Sequence, residues 1–301
     1  MSVKSLSYDE NFNPLNVAKD LVLEGAFSWT LITIDENTKK LLMNKLRWDS
    51  AFTDDILEEQ RPNIITEGVN NIIVLSFPIK DKEMLQITFV LVKNHIITIT
   101  NKDSKVLEGL FETLHSKKVR ASGITNIFSI ILDNLIERSI QYVHNIEEKL
   151  DEEGKHVNIE KMNVKNVFEE TSNMKENLFL ISRIVRSDTE VISDILANKV
   201  PNINLRYFGE HVEDRLLYMI DYIDFLKESV HNDINTHLAL LENRLNEQIY
   251  KLTIIGSLLI VPTIIAGFFG MNVNLPLIGF WEIIGITIAS SLVIWLFIRK
   301  T

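Results

Sequence analysis

The residues best placed to do chemistry lie near the C-terminus. Gly270, Met271 and Asn272 sit in a stretch with no charged side chain from Leu252 to Trp281. Counting back from Asn272 at helical spacing reaches Gly270, Gly267, Thr263, Ile260, Gly256, Leu252, Ile249 and Leu245, which share one helix face. That face carries neither a carboxylate nor a base. A carboxylate in low dielectric holds a divalent ion too tightly for fast release. An amide or a hydroxyl instead accepts hydrogen bonds from the ion's water shell. Mg²⁺ dehydrates reluctantly and holds its six ligands at about 2.0–2.1 Å. Asn272 and Thr263 therefore suit an ion that keeps its water, and Ile260, Leu252 and Ile249 suit a dry constriction that gates by dewetting. The same apolar residues also fit ordinary helix packing, and Gly-Met-Asn alone fits a helix-ending glycine followed by a polar turn residue.

Such residues need an element that holds them away from bulk water. After Glu282 no charged residue follows until Arg299. Leu252 to Gly270 and Ile283 to Ile298, the second extended by Phe280 and Trp281, each approach the ~20 residues that cross a hydrocarbon core. This predicts a helical hairpin turning through Met271 to Gly279. Trp281 and Trp295 fall near opposite ends of the second span, where amphipathic rings prefer the interface. Lys251 precedes the first span, Arg299 and Lys300 follow the second, and the turn has no Lys or Arg. The positive-inside rule then places both chain ends in the cytoplasm. Upstream, Ile220, Ile223, Leu226, Val230, Ile234, Leu238, Leu241, Leu245, Ile249 and Leu252 recur in steps of three or four. One stripe on one helix results, uninterrupted by Pro or Gly from Glu210 to Thr253. A helix from Leu205 to Gly270 would be roughly 100 Å long at 1.5 Å per residue. Its stripe needs neighbours, and self-association into a bundle is the simple solution.

The segment RLNEQIYKLTIIGSLLIVPTIIAGFFGMN, Arg244 to Asn272, resembles the CorA family of magnesium channels. That family's hallmark is Gly-Met-Asn at the outer end of the first of two C-terminal spans. The likeness runs through Asn246, Glu247, Leu252, Thr253, Thr263, Ala266 and Gly267, with Pro262 one place later than in many members. DDILEEQRPNI, Asp54 to Ile64, followed by NIIVLSFPI, is similar to the family's acidic helix, Arg-Pro pair and strand. YFGEHVED, Tyr207 to Asp214, resembles the start of its stalk helix. The outer turn VNLPLIGFW departs from the family in lacking an acidic residue. The resemblance implies a funnel-shaped homopentamer, multi-pass in the inner or plasma membrane, that conducts hydrated Mg²⁺ passively and in the same class Co²⁺ or Ni²⁺. It implies a selectivity filter at Gly270, Met271 and Asn272 and a pore lined by Thr263, Ile260, Gly256, Leu252 and Ile249. It also implies regulation by cytoplasmic Mg²⁺ held between subunits by Asp54, Asp55, Glu210, Glu213 and Asp214. A zinc transporter of the same superfamily shares Gly-Met-Asn. A membrane-anchored coiled-coil scaffold without transport would explain the long helix and hairpin, but not Thr263 and Asn272 on one face.

Composition narrows the classes. The 301 residues carry a formal net charge of -10, which argues against a general nucleic-acid partner. An acidic surface suits a protein that handles cations. With no cysteine, disulfides, zinc ribbons and iron–sulfur clusters are excluded. The seven histidines show no paired-ligand spacing, there is no Walker loop, and no Ser, His and Asp arrangement points to an enzyme or to an organic cofactor. The N-terminus lacks an apolar core of signal-peptide length, so the first part is expected to be cytoplasmic. Residues 1–120 read as a mixed α/β domain. Strands are expected at Phe27 to Ile34, Asn71 to Ile79, Leu85 to Val92 and His95 to Thr100, the last three as an antiparallel meander. Helical patterns fall near Asn16 to Glu24, Asp49 to Glu59 and Asp103 to Lys117. A helical hairpin is expected over 121–204, with EEKLDEEG, Glu147 to Gly154, as a solvated acidic break between two long helices. The stalk helix follows over 205–251, then the first span over 252–271, an outer loop over 272–280, the second span over 281–298 and a tail over 299–301.

Overall fold

The computed structural model describes residues 2–15, 17–35, 37–67, 70–116, 122–155, 164–197, 209–271 and 279–300. Two compact units divide the chain, Met1–His231 and Asn232–Thr301. The first unit is built on a six-stranded sheet: β1 Ser2–Tyr8, β2 Phe27–Thr33, β3 Asn63–Glu67, β4 Asn70–Lys80, β5 Glu83–Val92 and β6 His95–Thr100. Spatial order is β1-β2-β6-β5-β4-β3, with β2 and β6 parallel and the other neighbouring pairs antiparallel. β4, β5 and β6 form the expected meander. Its turns place Lys82 and Lys93 in the left-handed region, at φ 58° and 52°.

The strands read as unbroken apolar runs because both sheet faces are covered. Ile72, Val74, Val90, Ile97 and Ile99 join Leu42, Trp48 and Ile56 in one core cluster, under the short helices α1 Thr38–Leu46 and α2 Ser50–Leu57. On the opposite face Trp29 meets Phe111 of α3 Lys105–His115, with ring centroids 5.2 Å apart. Phe89 meets Phe128 of α4 Ile124–Lys155 edge-on at 4.9 Å. The N-caps are local and chemical. Asp49 accepts from the Phe52 amide and Ser104 from the Leu107 amide, each supplying an acceptor to an orphan N–H of the first turn. One glycine is required: Gly25 sits at φ +92°, and a Cβ there would meet the Tyr8 carbonyl oxygen at 2.8 Å.

Two expectations fail for physical reasons. Among the described residues 17–24 no helix forms. Ser5 and Ala18 exchange backbone hydrogen bonds of 2.8 and 2.9 Å, so the open edge of β1 captures this segment before a helix can. The acidic run Glu147 to Gly154 is not a break either, because α4 continues through it to Lys155. Glu, Lys and Leu are good helix formers, and Ile146 and Leu150 are buried, anchoring that part of the helix. α1, β1 and β3 are elements that no sequence pattern had marked.

The long helices follow: α4, then α5 Val164–Leu196 and α6 Gly209–Phe269. α5 is tied to the sheet by buried polar bonds. Asn177 accepts from the Lys82 amide at 3.0 Å and donates to the Tyr142 hydroxyl at 2.7 Å. Tyr142 in turn donates to Asp81, and its phenol is pushed up to about 12, chiefly by burial. Deeper in, the Asp188 carboxyl accepts from the Ser76 amide at 3.0 Å and is 2% exposed.

Burial holds the Asp188 pKa well above its ordinary 3.8, because the charged form is desolvated. The protonated acid thus binds its proton more tightly folded than unfolded. Its contribution to stability is full below about pH 3.8 and is lost as pH rises through the folded-state pKa. Asp188→Asn keeps an oxygen for the Ser76 amide without a charge to bury. Thermal unfolding of the full-length variant, followed by circular dichroism, is expected to give a higher midpoint than wild type at pH 7, with the gap closing toward pH 4. Equal midpoints at both pH values would contradict this.

Candidate functional site

α6 changes character along its length. In the first unit its inward stripe is covered: Val212, Leu216, Met219, Ile220, Ile223, Leu226 and Val230 are all buried. In the second unit the same spacing continues, but the side chains are bare. Leu245 is 57% exposed, Ile249 60%, Leu252 67% and Ile260 56%. One described helix, α6, contains a stretch long and apolar enough to cross a membrane. α7 Phe280–Lys300 carries a shorter apolar part, Trp281–Leu296.

The pore residues read from the sequence fall on the exposed end of α6. Ile249, Leu252, Gly256, Ile260 and Thr263 all lie within this one helix at the spacing that puts them on one face. A Cβ built on Gly256 or Gly267 would meet no heavy atom within 4 Å, so both glycines border open space in the single chain. The Thr263 hydroxyl donates to the Leu259 carbonyl at 2.8 Å. Its proton is committed to the helix, and what it presents outward is an acceptor oxygen, which suits the hydrogens of a hydrated cation. Pro262 sits inside the helix and has no N–H, so the Leu258 carbonyl loses its amide partner one turn on.

The helix ends where the glycines begin. The Gly270 amide still donates to Ala266 at 2.9 Å, and the Met271 amide reaches Phe268 at 3.4 Å. Met271 is exposed. Asn272 lies outside the described residues. At the next helix start, the Glu282 amide donates to the Gly279 carbonyl at 3.0 Å while the Glu282 carboxylate accepts from the Gly279 amide at 3.1 Å. This reciprocal pair caps α7 in the manner of a capping box.

The acids expected to hold regulatory cations are spread over two elements. Asp54 on α2 is exposed and pairs with Lys39 at 2.6 Å, and Asp55 beside it is exposed. On α6, Glu213 accepts from the Ser193 hydroxyl at 2.8 Å, and Asp214 is exposed. The Glu210 side chain lies outside the described residues. Among the described residues no three His, Cys, Asp or Glu side chains gather as a metal cluster within one chain. Sequence reasoning missed the stronger charge ties beside them. Arg215 forks onto Asp133 and Glu137, one turn apart on α4, and is itself 18% exposed. Arg186 and Lys227 both pair with Asp224. These partners are 38 to 82 residues apart, apart from the local Lys227 pair, so no short motif marks them.

A family model of CorA-like Mg²⁺ transporter proteins matches residues 25–300. The cobalt/magnesium transport protein CorA of Thermotoga maritima is 25% identical over 230 residues, covering 73% of this chain and 65% of that protein. The match thus spans less than two thirds of the relative's length. Among solved structures, the complete CorA magnesium transporter from Methanocaldococcus jannaschii superposes with a TM-score of 0.83 at 19% identity, covering 100% of this chain and 96% of that one. Full-length CmaX gives 0.77 at 15% identity over 99% and 97%. The ZntB cytoplasmic domain from Vibrio parahaemolyticus gives 0.62 at 14% over 81% and 98%. At these identities the structures establish a shared fold: a mixed-sheet N-terminal domain followed by long helices.

The Arg215 fork yields a stability test. Arg215→Met keeps an apolar stem but leaves Asp133 and Glu137 facing each other one turn apart. Both carboxylates are about half exposed, which screens the loss, so the expected cost is about 1 kcal/mol. Arg215→Lys, which lacks the planar fork, should recover only part of it. The shift in unfolding midpoint measures both; no shift in Arg215→Met would show the fork to be inert.

Proposed function

The chain belongs to the family of CorA-like Mg²⁺ transporter proteins, and from that premise we propose that it is a multi-pass membrane channel passing hydrated Mg²⁺ passively along the exposed face of α6. The observation that carries this reading is that face itself. From Ile249 to Gly270 it contains no charge, one acceptor hydroxyl at Thr263 and two bare glycines. An ion moving there keeps its water shell, and the wall only accepts hydrogen bonds from it. Asn272, two residues beyond Gly270, adds one more acceptor amide and serves as the outer selectivity ring, with Gly270 and Met271 setting its position. Ile249, Leu252 and Ile260 form the constriction, and Gly256 widens the passage between them. One copy of the face cannot enclose a hydrated ion, so several chains surround the axis as a homo-oligomer, a pentamer by family likeness. The bare stripe from Leu238 to Leu252 supplies the apolar contact among copies and with lipid. α6 and α7 make the two crossings, with both chain ends cytoplasmic.

Cytoplasmic Mg²⁺ regulates the pore through Asp54, Asp55, Glu210, Glu213 and Asp214 of neighbouring chains. The exposure of Asp54, Asp55 and Asp214 in the single chain supports a role at a surface between copies. Facing carboxylates repel, and a hard cation bridging them removes the repulsion. Bound Mg²⁺ then favours the closely packed state by its differential affinity for it.

Flux into liposomes containing the purified protein tests both parts. Asn272→Ala is expected to abolish Mg²⁺ uptake while the oligomer stays intact by mass measurement; wild-type uptake would remove Asn272 from the filter. Running Zn²⁺ beside Mg²⁺, with and without a proton gradient, separates this reading from zinc transport. Neutralising Glu210, Glu213 and Asp214 together is expected to move inhibition by internal Mg²⁺ to higher concentration. An unchanged inhibition curve would exclude these acids from the mechanism.

A further inference from the structure

A side-chain cluster between α4 and α6 is not used by any of the chemistry above. The Tyr222 hydroxyl lies 2.9 Å from His144 Nδ1 and also hydrogen-bonds Glu147 Oε2. His144 Nδ1 is itself 3.8 Å from Glu147 Oε2. Three donor atoms therefore converge, one nitrogen and two oxygens, two from α4 and one from α6. The imidazole ring leans on the phenol ring at a centroid distance of 4.7 Å, which fixes both rotamers. The phenol has one proton, and a carboxylate only accepts. With Tyr222 donating to Glu147, His144 carries its proton on Nδ1 and donates it to the phenol oxygen.

We propose that His144, Glu147 and Tyr222 form a binding site for a borderline divalent cation of the Zn²⁺, Co²⁺ or Ni²⁺ kind, bridging α4 and α6. Geometry, field and access support it. The nitrogen donor selects against Mg²⁺, which takes oxygen ligands, and favours cations that imidazole suits. The surroundings are negative. Burial first, then the hydrogen bond and charge of Glu147, and then Tyr218 and Asp151, all push the Tyr222 phenol up, and the two carboxylates among them attract a cation. Asp151 follows Glu147 by one helical turn on α4 and offers a further carboxylate at the margin. The His144 and Glu147 side chains are 43% and 36% exposed, so solvent reaches the site and water can fill the remaining positions. Loading needs two proton movements: the imidazole proton leaves Nδ1 by exchange with solvent and resides on Nε2, and the Tyr222 phenol releases its proton to solvent as the cation takes its place between the phenol oxygen and Glu147. With one histidine and one close carboxylate, the phenol oxygen is needed to complete the set. This site is independent of the conduction reading, since it is measured by binding alone.

The test uses purified full-length protein titrated with Co²⁺ under excess Mg²⁺, read by the visible d–d bands and then by Zn²⁺ competition. The expected result is one saturable site per chain that Zn²⁺ displaces. His144→Ala should weaken Co²⁺ at least tenfold, and Glu147→Gln similarly. Tyr222→Phe keeps the ring contact and should weaken binding severalfold with an altered band shape. His211→Ala and His231→Ala should leave the titration unchanged. Co²⁺ binding of equal affinity and stoichiometry in wild type and His144→Ala would overturn the proposal, as would no binding by wild type. Should His144→Ala fail to fold by circular dichroism, the near-isosteric Glu147→Gln and Tyr222→Phe decide it, and unchanged titrations in both overturn it.

Discussion

Burial by the chain itself runs out partway along α6. The stripe that begins at Val212 packs through Val230, and the same three-and-four spacing then continues past Leu238, Leu245, Ile249 and Leu252, whose side chains are exposed. Apolar side chains left in water oppose folding by roughly 25 cal/mol per Å² of exposed surface. A helix that keeps its pattern but loses its cover has to find other apolar surface, in lipid or in further copies. Much else about the molecule is arranged around that requirement. The first unit supplies its own core on both sheet faces and needs no help. The second unit holds the end of α6 and α7, two apolar helices with many exposed side chains.

The uncharged face near the end of α6 is the other side of the same arrangement. Apolar residues answer to lipid or to neighbouring helices. In the proposed pore, Thr263 and the glycines answer to the water shell of the cation. A hydroxyl whose proton is already given to Leu259 cannot donate outward, and this polarity of the bond matters for a cation's water shell. Serine or threonine in a soluble helix would make the same back-bond without consequence. Here it fixes which half of the hydroxyl faces the open side.

The parts legible in the sequence were those with a local signal. β4, β5 and β6 were readable because two covered faces leave an unbroken apolar run, and polar pairs, Asp81-Lys82 and Lys93-Asn94, interrupt it at the turns. α6 and its uncharged face were readable because helical spacing is itself the signal. α1 was not, since TKKLLMNKL is short and half polar. The segment around Asp20 was misread because its apolar pattern suits a helix, while the decisive partner, the edge of β1, lies elsewhere in the sequence. Charge misled at Glu147 to Gly154: a run of acids looked like an interruption, though its Glu, Lys and Leu residues favour the helix that α4 continues. Arg215 with Asp133 and Glu137, and Asp188 with Ser76, join residues far apart in the chain. Nothing near any of them in sequence announces the pairing, and only the packed helices show it.

The cap at the start of α7 has an electrical consequence. Glu282 is the nearest acid to the outer turn, and its carboxylate is turned onto the Gly279 amide at a helix N-terminus, where the backbone dipole contributes about half a unit of positive charge. The dipole offsets about half of that carboxylate charge within a turn, and residues 272–281 carry no charge of their own. For the proposed conduction, each copy around the outer mouth therefore keeps only a weak residual negative field. Entry would rise modestly above simple proportion to the outside concentration of the cation, and raising the ionic strength, which shortens the reach of that field to a Debye length of about 10 Å at 0.1 M, would lower the entry rate slightly.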